Sequence, residues 1–259
     1  MPPLRKQLLP ETDKEYVAGL QKGLSVIEAF AVERAPLTVA RAAELAGISR
    51  ASARRCLRTL QALGYAEHDG KLFQLAPRAL RLGYAYLAST HLARIVQPVI
   101  EIACERTRHS ISVALLDDTR VLVIARAYVQ RSLSVGLGVG SWLPAYCSAN
   151  GRVLLAALPD NQIEALLKRT ARVKLTKRTL VRVPEIVAEI ARVRERGYAI
   201  NDEEVEPGLS TIAIPVRSRS GVAVASLSLS SIGTSAERKQ LAKLLPELQA
   251  TSFRLSGML

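Results

Sequence analysis

Aromatic residues are scarce in this 259-residue chain: Phe, Trp and Tyr together supply 4% of it. Its cores must therefore be aliphatic, and the stacking platform used to recognise unpaired bases in RNA is missing. Cysteine is rarer still. Cys56, Cys104 and Cys147 are odd in number and widely spaced, with no C-x-x-C pair. That excludes a disulfide framework or a zinc ribbon and fits reduced cytosolic thiols. His68, His91 and His109 are equally scattered, so no histidine pair has metal-ligand spacing. No apolar run approaches the roughly 20 residues of a membrane span. The N-terminal MPPLRKQLLPETDKEY has no apolar signal region, and a cytoplasmic location away from membranes is expected.

What the chain does have is aliphatic and basic. Hydrophobic residues make up 49% and the formal net charge is +13, which points toward polyanions such as nucleic acid. The length exceeds one typical domain, so two are expected. Residues 1–18 read as a mobile polar arm. In GLQKGLSVIEAFA, Leu20, Leu24, Ile27 and Ala31 recur at helical spacing. Pro36 stops that helix, and Thr38 stands as N-cap of a short helix over Val39–Ala46 with Ala43 and Leu45 turned inward. Gly47 suits a positive φ, and Ser49 caps a further helix from Arg50 to Leu63 whose inner stripe is Ala53, Cys56, Leu57 and Leu60. Two short extended runs flank Asp69-Gly70, a hairpin signature. Helices and hairpin within residues 19–76 outline a winged helix-turn-helix.

After Pro77, ALRLGYAYLASTHLARIVQPVIEIACERT reads as a helical run interrupted near Pro98, with residues 77–97 as a linker helix. From about residue 98 to 259 the period changes. SISVALLDDTRVLVIARAYV gives two strands about a polar turn, and LSVGLGVG a third. Helices follow at Asn150–Leu158, Asn161–Lys168 and Pro184–Arg196. STIAIPVR and VAVASLSLS are strands, and Ser235 caps a C-terminal helix. Helices segregated from a largely antiparallel sheet make an α+β class domain.

Between Leu45 and Ala66 there are four arginines, Arg50, Arg54, Arg55 and Arg58, and no Asp or Glu. Small residues, Ala51 and Ser52, sit between them near the helix start. This suits a recognition helix: small residues allow close approach to the groove floor, helix-start amides and Ser hydroxyls meet phosphate, and Arg forks bond guanine edges. Lys71 on the hairpin is placed to reach an adjacent phosphate. An ordinary solvated helix is the competing explanation. The missing i±4 acidic partners and the helix-turn-helix context favour DNA.

GLSVIEAF, LTVARAAELAGISRASARRCLRTLQALGYAE and DGKLFQLAPRALRLG, then GSWLPAYCSANGRVLLAALP, then RERGYAINDEEVEPGLSTIAIPV with VAVASLSLS, together resemble the IclR family of bacterial transcription regulators. GSWLPAYCSANGRVLLA is most similar to its branch controlling aromatic-acid and β-ketoadipate catabolism. The resemblance implies a winged helix, a GAF-like C-terminal effector domain, and a small carboxylate effector. It also implies a homodimer or dimer of dimers on a palindromic double-stranded operator, with RNA polymerase a further candidate partner. The family's DNA contacts fall here on Ser49, Arg50, Ser52, Arg54 and Arg55, with Thr38 alongside.

A carboxylate sensor needs donors converging on an apolar cavity. Tyr146-Cys147-Ser148-Ala149-Asn150-Gly151 leads into a helix, whose first amides and positive dipole end suit an anion. In the family this segment, the Asn201-Asp202 segment and Thr211 line the cavity. Arg126, central in the apolar LVIARAYV, needs an acidic partner: a ligand, Asp202 or another carboxylate. Ser228 and Ser230 alternate with leucine and are placed to share one face. Against these stand plainer roles: Ser148 as helix cap, Arg126 in a structural ion pair, Trp142 as packing.

Three features that suggest catalysis fail on context. Gly136, Gly138 and Gly140 are followed by Ser141 and Pro144 rather than a helix, so no dinucleotide site is expected. Asp202-Glu203-Glu204 with Glu206 lacks calcium-loop spacing and reads as a solvated loop with one inward carboxylate. Cys147 sits at a helix start, where a thiol pKa can fall, yet no base is identifiable. No catalytic residue, metal or cofactor is expected. The alternatives kept are a Cys147-dependent enzyme with a basic accessory domain and a non-sensing architectural DNA-binding protein.

Overall fold

Apolar residues at three-and-four spacing, punctuated by polar caps, build the first part of the chain. The computed structural model describes residues 13–129, 138–233 and 240–258, so most of the expected N-terminal arm lies outside the described residues. Two units divide between Tyr86 and Leu87.

In the first unit, α1 (Ala18–Glu33) buries Val26, Ala29 and Phe30, while Leu20 and Leu24 of the expected stripe are 62% and 48% exposed. α2 spans Val39–Ala46 and α3 Arg50–Ala62. Gly47 between them takes φ 64°, a conformation costly for residues with a Cβ. It lets Ile48 N–H close back on Ala43 O at 3.0 Å. β1 (Ala66–His68) and β2 (Phe73–Leu75) form an antiparallel hairpin, which Leu37 extends by bridging to Phe73. Val26, Leu37, Leu57 and Phe73 make the core of this unit, each contributing about 1.5–3 kcal/mol by burial.

The helical run after the hairpin breaks at Thr90 rather than Pro98. α4 is Leu80–Ser89 and α5 is His91–Thr107, with Pro98 inside it. The proline forgoes one backbone bond, but Val96, Ile100 and Ala103 on either side are buried against the sheet, and that packing carries α5 through.

The second unit is built on a six-stranded sheet ordered β5-β4-β3-β8-β7-β6, antiparallel throughout. The strands are β3 (Ser110–Asp117), β4 (Arg120–Ala127), β5 (Trp142–Pro144), β6 (Ala199–Asp202), β7 (Leu209–Arg217) and β8 (Ala223–Ile232). One face, carrying Ile111, Val113, Ile212, Ile214, Leu227 and Leu229, packs on α5 and on the C-terminal helix α9 (Leu245–Met258). The intervening residues turn to the other face and meet α6 (Ala149–Ala156) and α8 (Val183–Arg196), with α7 (Asp160–Arg169) alongside. Most of the expected strand LSVGLGVG, and Ser235, lie outside the described residues. Among those described, no helix is long and apolar enough to cross a membrane.

Candidate DNA-binding and effector sites

Ser49 Oγ accepts the Ser52 amide at 3.2 Å and caps α3, and the two hydroxyls are 3.0 Å apart. Ala53, Leu57 and Leu60 pin the helix inward. Arg50, Arg54, Arg55 and Arg58 are exposed on its outer side, and none of these guanidiniums forms an ion pair among the described residues. Thr38 is spent on its own helix, accepting the Arg41 amide at 3.2 Å. Arg41 is held by Glu33 at 2.8 Å and Glu44 at 2.9 Å. α3 thus presents an outer face whose positive charge is uncompensated among the described residues. In the hairpin turn, the Asp69 carboxylate accepts the amides of Lys71 and Leu72 at 2.9 and 2.7 Å, which holds its pKa below the usual value and fixes exposed Lys71 at the tip.

In the second unit the strand register gathers the polar side chains. One cross-strand row reads Arg126–Ser112–Ser228, and the next Ser110–Ser230–Thr211–Asn201. Since alternate residues share a face, all seven lie on the side covered by α6. There all but Ser110 bound a pocket closed by Ser148, Ala149 and Asn150 at the start of α6, with Val123, Leu143, Val205 and Leu209 as apolar walls. Its empty volume is about 390 Å³ counting the mouth, of which only a small part admits a water molecule.

The sequence candidates divide. Arg126, Ser148, Ala149, Asn150, Asn201, Thr211, Ser228 and Ser230 line this pocket; Tyr146, Cys147 and Asp202 do not. Tyr146 and Cys147 pack into the aliphatic cluster behind it. Burial pushes the Cys147 thiol up to about 12, the reverse of an activated nucleophile. Burial, with Cys147 beside it, also takes Tyr146 to about 12. Asp202 accepts from Ser210 Oγ at 2.6 Å and pairs with Arg178.

Within the pocket, Ser148 caps α6 through the Gly151 amide at 3.2 Å and donates to Pro144 O at 2.7 Å. Asn201 holds Cys147 O and the Glu204 amide. The guanidinium of Arg126 is 5.0 Å from the Tyr128 ring centroid, and desolvation by burial lowers its pKa. Among the described residues, Asn150 Oδ1 is buried with no hydrogen-bond partner, a costly state for an amide oxygen. The amides of Ala149 and Asn150 fall in the helix's first turn, where no intrahelical acceptor exists. Arginine, amide dipoles and hydroxyls facing apolar walls are groups whose chemistry suits a small anion with an apolar body.

Sequence reasoning missed Arg152. It is 1% exposed and bidentate to Glu204, Nη1–Oε1 2.5 Å and Nη2–Oε2 2.7 Å. Its signal was an arginine followed directly by the apolar run VLLAAL; Glu204 is the inward carboxylate expected of the acidic cluster.

The model of the IclR helix-turn-helix domain matches residues 19–70, and that of the bacterial transcriptional regulator IclR C-terminal domain matches residues 84–257. The Pca regulon regulatory protein of Pseudomonas putida is 40% identical over 95% of this chain and 86% of that protein. A solved transcriptional regulator from Rhodococcus sp. RHA1 is 38% identical with a TM-score of 0.78, covering 94% of this chain and 98% of that one. The inducer-binding domain of a double mutant of the transcription factor PobR from Acinetobacter, solved with 3-hydroxybenzoic acid, is 27% identical with a TM-score of 0.62. It covers 66% of this chain and all of that one. With helix-turn-helix and C-terminal domain both matched in order over nearly the whole length, the chain belongs to the IclR family of bacterial transcriptional regulators.

Proposed function

We propose that this regulator controls a catabolic operon through a small aromatic carboxylate bound in the pocket beneath α6. The observation that carries the reading is the convergence of Arg126, the first-turn amides of α6 and the Ser112, Ser228 and Ser230 hydroxyls on one apolar-walled cavity. The carboxylate lies at Arg126 and the helix start, the ring against Val123, Leu143, Val205 and Leu209, and ring substituents among the hydroxyls and Asn150. The names of the relatives, a Pca regulon regulator and a domain solved with 3-hydroxybenzoic acid, support the aromatic class. Because the cavity is narrow, ligand entry requires it to widen, and that difference between two conformations is what lets an effector shift operator binding.

For DNA, α3 enters the major groove: Arg50, Arg54, Arg55 and Arg58 read bases or clamp phosphate, Ser49 and Ser52 meet the backbone, and Lys71 reaches an adjacent phosphate. Thr38, already capping α2, contacts phosphate through that helix's start. The unit of action is a homodimer or dimer of dimers on a palindrome. Leu80, Tyr84 and Leu20, at 78%, 70% and 62% exposed, are the apolar side chains that a second copy would cover.

A thermal-shift screen of the full-length protein against 4-hydroxybenzoate, 3-hydroxybenzoate, protocatechuate, β-ketoadipate and pyruvate tests the effector. A saturable rise with an aromatic acid is expected, since a ligand of the folded state stabilises by mass action. No shift with any aromatic acid would sink the effector class.

A further inference from the structure

Arg152 and Glu204 are buried and line no part of the pocket, yet they hold together the pieces that make it. Arg152 lies two residues beyond Asn150 on α6. Its Nε donates to Tyr146 O at 3.2 Å, on the turn leading into that helix. Glu204 follows β6 in a turn whose preceding residue, Glu203, is in the left-handed region at φ 61°. From there its carboxylate meets the Arg152 fork, and its amide donates to Asn201 Oδ1 at 3.3 Å. Asn201, and Val205 directly after Glu204, are pocket walls. The same glutamate reaches a third segment: Glu204 Oε2 accepts the Leu180 amide at 3.0 Å, and Glu204 O accepts Thr179 Oγ1 at 2.6 Å.

A buried ion pair is weak evidence for stability, because its desolvation cost offsets its attraction and apolar replacement of both partners is often neutral. What a bidentate arginine–carboxylate pair supplies is fixed geometry. We propose that the Arg152–Glu204 pair is the positioning element of the effector pocket. It locks the Ser148–Asn150 turn of α6 against the Asn201–Val205 turn and the Thr179–Leu180 segment, so effector affinity depends on it more than folding does. The proposal rests on the pocket reading above.

The test is the full-length double variant Arg152→Met/Glu204→Met, which removes both charges and leaves apolar side chains. Three quantities are measured: melting temperature without ligand, amide exchange of residues 148–151 and 201–205, and calorimetric affinity for 4-hydroxybenzoate. Expected are a melting temperature within a few degrees of wild type, exchange in both turns at least 10-fold faster, and affinity at least 10-fold weaker. Ligand-free operator affinity stays unchanged. Wild-type exchange rates in a folded double variant would overturn the proposal, whatever the ligand does. A wild-type protein that ignores 4-hydroxybenzoate would count against the effector reading alone, and amide exchange would still decide this one. Should the double variant not fold, Glu204→Gln, which keeps the shape and one acceptor, is measured in the same way, with faster exchange in both turns expected and wild-type exchange overturning the proposal.

Discussion

Gly151 has no left-handed conformation to explain it, yet the structure leaves it no room for a side chain. A Cβ there would stand 2.2 Å from Ala145 O, 2.3 Å from Ala145 Cα and 2.6 Å from Ala145 C. All three are backbone atoms of the turn that leads into α6, so no rotamer change relieves the overlap. Reaching the 3.4 Å at which ordinary contact begins requires the turn and helix to separate by 1.2 Å, that is 3.4 minus 2.2. Such a shift pulls on the Ser148–Pro144 bond at 2.7 Å and the Arg152–Tyr146 bond at 3.2 Å. Gly→Ala in an open helix interior gains about 0.5–1 kcal/mol, while overpacking costs about 1–3 kcal/mol. With only backbone available to yield, the cost falls at the upper end of that range, and a net loss of about 2 kcal/mol is expected. For a unit of this size that is a fall of roughly 4–8 °C in melting temperature, with 4-hydroxybenzoate binding abolished because the pocket wall moves. Calorimetry and circular dichroism on Gly151→Ala check both. An unchanged or raised melting temperature would refute the close approach of α6 to its own leading turn.

Asn150→Ala is expected to weaken effector binding at unchanged melting temperature, whereas Ser148→Ala, which also removes the α6 cap, should cost about 1 kcal/mol of stability besides; thermal melts with and without ligand separate the two. Arg54→Ala and Arg55→Ala should each weaken operator binding by about 10- to 100-fold and relax sequence preference. Lys71→Ala should weaken all DNA alike and flatten the log–log salt dependence by about 0.9; fluorescence anisotropy at graded salt reads both effects. Cys147 is raised from 9.0 to about 12 in the folded state, so the fold holds its proton where the unfolded chain would release it. Its contribution to stability is therefore whole below pH 9 and is lost as the pH climbs toward 12. Urea midpoints at pH 8 and pH 10.5 should fall less for Cys147→Ala than for wild type, and equal falls would contradict the assignment.

The helix-turn-helix was legible because local chemistry decides it. Thr38, Gly47 and Ser49 punctuate two short helices, and the expected Val39–Ala46 and Arg50–Leu63 became Val39–Ala46 and Arg50–Ala62. α1 shows the limit: Leu20 and Leu24 keep helical spacing but face outward, and periodicity alone does not say which of two stripes is the inner one. The break at Thr90 and the strand β5 were missed for a shared reason. Packing on the sheet carried a proline through α5, and pairing with β4 drew the three residues Trp142–Pro144 into a strand. In the pocket, alternation within SLSLS put Ser228 and Ser230 on one face, and a helix start after Tyr146-Cys147-Ser148 marked its roof. Separating Ser148 to Asn150, which line the cavity, from Tyr146 and Cys147, which back it, takes the three-dimensional turn. The Arg152–Glu204 pair spans 52 residues, a distance over which neither local spacing nor composition matches partners.

The central claim joins two sites: α3 binds DNA, and the pocket beneath α6 governs that binding. It is tested most directly by titrating the full-length protein onto the DNA upstream of its own gene and onto a scrambled duplex, with and without 4-hydroxybenzoate at fixed salt. The account predicts protection of two half-sites in a palindrome, preference over the scrambled duplex, and an operator affinity or footprint that changes saturably with the acid and needs more of it in Asn150→Ala. Equal, steeply salt-dependent binding to both duplexes, unmoved by any aromatic acid, would contradict it and leave a non-sensing DNA-binding protein in its place.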